Sequence, residues 1–139
     1  MSRKFLSWLL FLACAGLPLA VEAREPLVQH GPDGSLTSVR HLLAEARDPD
    51  CGKAVRQTLT IADLEYDPAN KVRVNGIVVK FKDGSRGSIN LDSSVYDRLA
   101  RSDQANLGGL LKVGARRVFE IYMCGASGGF WEADSVAVK

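Results

Sequence analysis

Alternation of apolar and polar positions dominates the chain after residue 54 and predicts a β-rich fold. A period of two residues indicates strands with one face on a core. Such runs are found at residues 55–66, 71–82, 86–91, 116–124 and 130–138. The first run changes phase at Ala62-Asp63, which is typical of a β-bulge. Asp83-Gly84-Ser85 separates the second run from the third and predicts a hairpin turn.

Helical spacing is found in two places. Leu36, Val39, Leu42 and Leu43 are spaced as one face of a helix within residues 35–47. This helix would follow a flexible leader over residues 24–34, which contains two prolines and two glycines but no period. A second helix is predicted from Ser94, which with Asp97 resembles a capping box, and it fades by residues 106–109. The helix content is therefore expected to be small.

The first 23 residues have the layout of a secretory signal peptide. Arg3 and Lys4 precede an apolar run at residues 5–19, and small residues lead up to Ala23. The apolar run is shorter than the ~20 residues of a spanning helix, so we expect no transmembrane anchor in the mature chain. Lipoprotein processing at Cys14 is an alternative. We predict cleavage near Ala23 and a periplasmic or secreted protein.

Length and charge restrict the choice further. The chain has 139 residues, and its 18 Lys and Arg nearly balance 16 Asp and Glu. No global charge therefore points to nucleic acid, and the mature length supports one core. We divide the chain into a signal peptide (1–23), a leader with a short helix (24–50) and a single β domain (51–139).

Two cysteines, Cys51 and Cys124, remain after the predicted cleavage. In an oxidising compartment two cysteines far apart in sequence most simply form one disulfide. The alternative is a pair of free, reactive thiols.

The order strand, strand, strand, helix, strand, strand is similar to the oligonucleotide/oligosaccharide-binding (OB) fold, a five-stranded Greek-key barrel. The resemblance rests on element order in residues 55–138 and on the phase-shifted first strand, and a short N-terminal helix would precede it. Because the first and fourth strands of that fold are antiparallel neighbours, it would place Cys51 near Cys124. An open sheet with one helix packed across it is the alternative.

Candidate catalytic groups are few. Gly125-Ala126-Ser127-Gly128-Gly129 matches the nucleophile pattern of serine hydrolases, but the pattern requires a following helix, whereas residues 130–138 predict a strand. Both histidines, His30 and His41, lie upstream. Cys124 with His41 as a base would need a free thiol. The scattered ligands do not predict a metal or another cofactor.

A polar face on the second and third strands is the candidate binding surface. Its residues are Arg73, Lys80, Lys82, Arg86, Ser88 and Asn90. In OB folds the face of strands two and three binds the ligand. The alternative is that these charges only keep an edge strand soluble. Arg116, Arg117 and Trp131 mark a second, weaker candidate surface.

We therefore predict an exported, non-catalytic binding module of the envelope or periplasm, for an anionic glycan, a small molecule or a protein partner. Nucleic acid is not an expected ligand, because aromatic stacking residues are sparse on the candidate face. One alternative is a structural or inhibitory subunit of an envelope complex. A remote alternative is a small serine hydrolase using Ser127.

Overall fold

A mixed seven-stranded sheet dominates the computed structural model, which describes residues 24–45, 50–125 and 129–139. The prediction of a mainly β protein is confirmed at this level. Two helices lie between the fifth and sixth strands in chain order. The elements are β1 (Leu27–His30), β2 (Leu36–Arg40), β3 (Val55–Asp67), β4 (Asn70–Lys80), β5 (Arg86–Asn90), α1 (Val95–Arg98), α2 (Arg101–Leu110), β6 (Arg116–Cys124) and β7 (Phe130–Ala137).

The β3–β4 hairpin follows the alternation in the sequence. Leu59 and Ile61 of β3 and Ile77 and Val79 of β4 are buried, whereas their neighbours are more exposed. The register shifts between Ile61 and Asp63, where the change of phase predicted a bulge. A bulge lets both halves of the strand keep their apolar side chains on one face. The β3–β4 hairpin therefore supplies much of one wall of the core.

A tight turn joins β4 to β5 as predicted. Gly84 has a φ of 86°, in the left-handed region that favours glycine. The amide of Phe81 donates to the carbonyl of Ser85, and that of Gly84 donates to Phe81. This turn sets the register that places Lys80 opposite Arg86.

β7 completes a cycle of strand pairings. β3 pairs with β4, β4 with β5, β5 with β7, β7 with β6, and β6 with β3. The β5–β7 pair is parallel and the other four are antiparallel. Phe119 and Ile121 of β6 and Val136 of β7 are fully buried in the core. The residues that alternate with them along β6 and β7 therefore point to the outer face.

Cys51 and Cys124 form the predicted disulfide. Cys51 precedes β3 and Cys124 ends β6, and the antiparallel register of these strands brings Val55 opposite Ile121. The two Cα atoms are 4.0 Å apart, across a sequence separation of 73 residues. In the chain-entropy model, closing so long a loop stabilises the fold by about 4 kcal/mol. The bond links the start of β3 to the end of β6.

The N-terminal segment differs from the prediction. Where a flexible leader was expected, β1 pairs antiparallel with β2, and β2 pairs with β7. The predicted helix over residues 35–47 is wrong at Leu36–Arg40, which is strand β2. Leu36 and Val39 are buried in the strand, and Leu42 and Leu43 are buried after the chain bends. The helical spacing of these four leucine and valine residues therefore comes from a strand followed by a bend.

The second helical region is longer and more broken than predicted. Its first turn, α1, begins after Ser94, but no side-chain hydrogen bond from Ser94 caps it. Instead, Asp92 Oδ1 accepts the Ser94 amide at 3.0 Å. The second helix, α2, continues through Gly108 and Gly109 to Leu110, beyond the predicted end. Its buried residues include Leu107, which holds the helix against the core.

Several sequence predictions fall outside the described residues. The predicted signal peptide (residues 1–23) and Cys14 are among them, as is Ser127 of the Gly-Ala-Ser-Gly-Gly pattern. Neither helix within the described ranges has the length and apolar character needed to cross a membrane.

Candidate functional site

Four of the six predicted binding residues share the outer face of the β4–β5 pair. Lys80 lies opposite Arg86, Val78 opposite Ser88, and Gly76 opposite Asn90. Residues directly opposite each other in a sheet point to the same face, and alternate residues of one strand do so too. This face is not purely cationic, because Ser88 Oγ donates to Glu65 Oε2 at 3.2 Å.

Arg73 lies apart from this face, near the start of β4. Its guanidinium donates to both carboxylate oxygens of Asp97, at 2.6 and 3.0 Å, and stacks over the Tyr96 ring. Hydrogen bonding to Arg73 lowers the pKa of Asp97, and the same bond raises the pKa of Arg73. The Asp97 carboxylate and the Arg73 guanidinium therefore both stay charged. Lys82, the sixth residue, follows β4 in the hairpin turn.

The row that contains Lys80 and Arg86 continues onto two further strands. Thr60 of β3 lies opposite Lys80 on one side and opposite Arg116 of β6 on the other. A single row across four strands therefore reads Arg86, Lys80, Thr60 and Arg116. Three of its four side chains are cations, and the fourth supplies a hydroxyl donor.

A second row runs parallel to the first, four residues along β3. Arg56 of β3 lies opposite Glu120 of β6, Glu120 opposite Ser135 of β7, and Ser135 opposite Arg40 of β2. The two rows are separated by about 14 Å along β3. Thr58 of β3 lies between them on the same face. The outer face of β2, β7, β6, β3, β4 and β5 thus forms one surface that carries two polar rows, with Thr58 and the apolar Val118 and Ala137 between them.

Three clefts follow this surface. A cleft of about 470 Å³ is lined by Arg40, Arg56 and Ser135, among others. One of about 600 Å³ is lined by Arg56, Thr58 and Lys82, and one of about 310 Å³ by Thr58, Lys80 and Arg116. Because Arg56 and Thr58 each line two of them, the clefts are neighbours. The surface is therefore shaped for an elongated ligand.

Six cations define this surface, which we call the cationic belt: Arg40, Arg56, Lys80, Lys82, Arg86 and Arg116. To the extent that the structure describes the chain, none of their side chains makes a hydrogen bond or an ion pair. The nearby carboxylates are already engaged. Glu120 accepts from Ser135 Oγ, and Asp83 accepts from the amide and hydroxyl of Ser85.

Hydrogen bonds from Ser85 lower the pKa of Asp83, so this carboxylate stays ionised at the edge of the belt. Even with Asp83, Glu120 and the neighbouring Glu65 counted, the described cations of the belt outnumber the carboxylates by two to one. Uncompensated charge of one sign around neighbouring clefts concentrates ligands of the opposite sign. The belt is thus suited to an anion.

The second surface predicted from the sequence, formed by Arg116, Arg117 and Trp131, is not a single site in the structure. Arg117 donates from Nε to the carbonyl of Leu110 at 2.7 Å, so it satisfies the C-terminal end of α2. Trp131 packs half-buried against the core. Arg116 alone joins the belt. Arg40 and Arg56 were not among the residues predicted from the sequence, although each is a charged residue at an exposed alternate position of a strand.

Away from the belt, the cysteine, histidine and carboxylate groups of the described residues come together in one place that could hold a metal ion. Cys51, Cys124 and Glu132 place potential metal-ligand atoms within 4.8 Å of one another, but both sulfurs belong to the disulfide. A disulfide sulfur is not a thiolate ligand or nucleophile. His30 Nε2 lies 2.6 Å from Oδ1 of the buried Asp103, and His41 Nδ1 lies 3.2 Å from the Glu25 carbonyl.

Comparison with protein-family models, with curated proteins and with solved structures finds no match to this chain.

Proposed function

We propose that this protein is an exported, non-catalytic binding module that holds an acidic glycan on the cationic belt. The observation that carries the proposal is the pair of parallel rows: their five cations, together with Lys82 in the adjoining turn, make no hydrogen bond or ion pair among the described residues, and all but Arg86 line three adjoining clefts. A set of sites spread over six strands suits a chain-like ligand better than a compact one. Cations and hydroxyl donors together match the carboxylate or sulfate groups and the hydroxyls of such a glycan.

The side chains of the belt favour a glycan over a nucleic acid. Single-stranded nucleic acids are bound largely by stacking of bases on aromatic rings. Among the described residues, Phe81 is the single aromatic residue that lines the clefts bordering Lys80 and Lys82, and it is half-buried against the core. Thr58 and Thr60 instead provide hydroxyl groups beside the cations.

We propose further that β3 to β7 form a five-stranded barrel of the OB type. Two observations support this: the cycle of pairings among these strands, and the position of both helices between β5 and β6. In that fold the second and third strands carry the ligand surface. Here these strands are β4 and β5, which contribute Lys80 and Arg86 to the belt.

Export to the periplasm or the cell exterior is part of the same proposal. Its support is the pattern of residues 1–23 together with the Cys51–Cys124 disulfide, since disulfides persist mainly in oxidising compartments. Acidic polysaccharides are accessible there.

Charge removal on the belt tests the proposed function. The mature protein is compared with the triple variant Arg56→Gln, Lys80→Gln, Arg116→Gln for binding to polygalacturonate by titration calorimetry. We expect the affinity to fall by about tenfold or more, since three exposed ionic contacts contribute about 0.2–1 kcal/mol each. The loss should shrink as ionic strength rises from about 0.05 to 0.3 M.

The matched control removes the same charge elsewhere. Lys71→Gln, Lys112→Gln and Lys139→Gln together change three exposed lysines that lie outside the clefts. This variant should keep nearly the wild-type affinity. Equal losses in both triple variants, or no binding by the wild type, would contradict the belt as a ligand site.

A further inference from the structure

A groove on another side of the molecule has features of a ligand site. It runs between the distal end of the β3–β4 hairpin and α2, and its volume is about 500 Å³. One wall of the groove is the hairpin, which contributes Tyr66 and Val72. The other wall is α2, which contributes Arg101, Ala105 and Gly108. None of these residues belongs to the cationic belt. The groove is therefore independent of the proposed function.

The hairpin wall exposes apolar surface to solvent. Val72 and Tyr66 are 79% and 49% exposed, and both belong to the exposed large apolar residues of the described chain. Leu64, on the same hairpin, is half-buried below them. Exposed apolar side chains grouped along a concavity are typical of binding surfaces rather than of ordinary surface.

The helix wall leaves that apolar surface uncovered. Arg101, Ala105 and Gly108 follow one another at helical spacing along α2, so one face of the helix borders the groove. A Cβ atom added to Gly108 would meet no atom within 4 Å. Small residues at Ala105 and Gly108 therefore keep the groove open where a larger side chain would close it.

The floor is fixed in place. Tyr96 is buried, and its hydroxyl accepts a hydrogen bond from the Val74 amide at 3.1 Å. The Arg73 guanidinium stacks over the Tyr96 ring while it pairs with Asp97. A ligand would thus meet a groove whose floor is already ordered, which lowers the entropic cost of binding.

Arg101 supplies the free charge of the groove. It is exposed at the first position of α2, and its side chain has no hydrogen bond or ion pair to any residue that the structure describes. Arg73, by contrast, is already compensated by Asp97. One end of the groove, whose lining is apolar at Tyr66 and Val72 and polar at Asn70 and Gln104, therefore carries an uncompensated positive charge.

We propose that this groove is a second binding site, which takes a small amphiphilic anion. The apolar body of the ligand lies on Tyr66 and Val72, and its anionic head group pairs with Arg101. The volume is within the range of pockets for small organic ligands, about 300–1,000 Å³.

Two probes that differ by one charged group test the site. 8-Anilinonaphthalene-1-sulfonate has an aromatic body and a sulfonate, and N-phenyl-1-naphthylamine has the same body without the sulfonate. Fluorescence titration of the mature protein should show saturable binding of the sulfonate, with at least about tenfold preference over the neutral probe. Arg101→Gln should remove most of that preference and leave neutral-probe binding unchanged.

A pair of glycine substitutions locates the binding. Gly108→Leu fills the groove, whereas Gly109→Leu adds the same side chain one position further along α2, outside the groove lining and also with open space around it. Both variants should keep or raise the thermal midpoint, because leucine favours a helix more than glycine does. Gly108→Leu should abolish saturable binding, and Gly109→Leu should retain it.

The proposal is overturned if Gly108→Leu binds the sulfonate probe as well as Gly109→Leu does. It is also overturned if the signal disappears in the triple belt variant but survives in Gly108→Leu, or if the neutral probe binds as tightly as the sulfonate.

Discussion

At the scale of single residues, Asp92 and Arg98 anchor the N-terminal segment to the first helical turn. Asp92 accepts hydrogen bonds from the amides of Ala44 and Ser94, each at 3.0 Å. The Arg98 guanidinium donates to the carbonyls of Arg24, His41 and Leu42. These bonds satisfy backbone groups that neither helix nor strand would satisfy. They explain how residues 41–44 remain ordered in an irregular conformation.

Asp92 should make stability depend on pH. Burial acts to raise the pKa of its carboxyl, but hydrogen bonds from Ser94 and Ala44 and the charge of Arg98 outweigh burial, so that the pKa lies below the ordinary value of 3.8. A carboxyl whose pKa is lowered by folding stabilises the protein above its unfolded pKa, and that stabilisation is lost as pH falls.

We therefore expect Asp92→Asn to lower the free energy of unfolding at pH 7 by about 1 kcal/mol, since the carboxylate is partly solvated. The difference from the wild type should be constant above about pH 5 and should shrink below about pH 4. Urea unfolding between pH 2.5 and 7 measures both quantities. A difference that stays constant down to pH 2.5 would mean that these hydrogen bonds do not depend on the charge of Asp92.

The sequence indicated part of the belt at this scale. Lys80, Arg86 and Arg116 were recognised because they lie at alternate positions in strongly patterned strands. Arg40 lay in a segment interpreted as a helix, so its position on the sheet was hidden. Arg56 becomes part of the belt only through its pairing with Glu120 of β6, and no local pattern reveals which strands are neighbours.

At the scale of elements, β3 to β7 were predictable and β1 and β2 were not. Strong alternation over many residues gave the first group nearly the bounds that the structure has. Residues 36–43 are too short a run to distinguish a helix from a strand and a bend by period alone. Pairing of β2 with β7 decided the outcome, and that interaction is distant in sequence. Likewise, α2 continues through Gly108 and Gly109 because its buried residues pack on the core, although glycine disfavours helices locally.

Because β1 is paired in the sheet, substitution of its inward-facing residue should lower the stability of the protein. No such effect is expected if these residues form a flexible leader. Val28 packs half-buried against the core and lies opposite Val39 of β2, whereas the adjacent Leu27 is 50% exposed. Val28→Ala should destabilise the protein by about 1 kcal/mol, because it removes partly buried methyl groups. Leu27→Ala serves as the control and should cost much less.

Chemical denaturation of both variants measures the two effects. If Val28→Ala and Leu27→Ala are equally close to the wild type, then residues 27–30 do not contribute a strand to the fold in solution.

At the scale of the whole molecule, alternate residues of the same strands build the core and the outer surface. The residues that face inward from β3 and β6, such as Leu59 and Phe119, are buried, and the residues between them build the belt. The Cys51–Cys124 disulfide joins the ends of these same two strands. The core, the disulfide and the proposed binding surface therefore share one scaffold, so a ligand would meet side chains on a rigid sheet.

The sequence could suggest this arrangement only through its resemblance to a known architecture. The parallel pair of β5 with β7 and the antiparallel pair of β2 with β7 follow from contacts between segments far apart in the chain. The balanced overall charge also gave no sign of the local excess of positive charge on the belt. Carboxylates such as Asp92, Asp97 and Asp134 are instead engaged in hydrogen bonds with other residues of the chain.

Residue-by-residue mapping of bound acidic glycan shows whether the belt is the binding site. A short oligogalacturonate is titrated into the uniformly ¹⁵N-labelled mature protein, and changes in amide chemical shift are followed residue by residue. If the belt binds the glycan, the largest changes should cluster at Arg56, Thr58, Thr60, Lys80 and Arg116 and should weaken with added salt. Changes that concentrate away from these strands, or a spectrum that saturating oligosaccharide leaves unaltered, would contradict it.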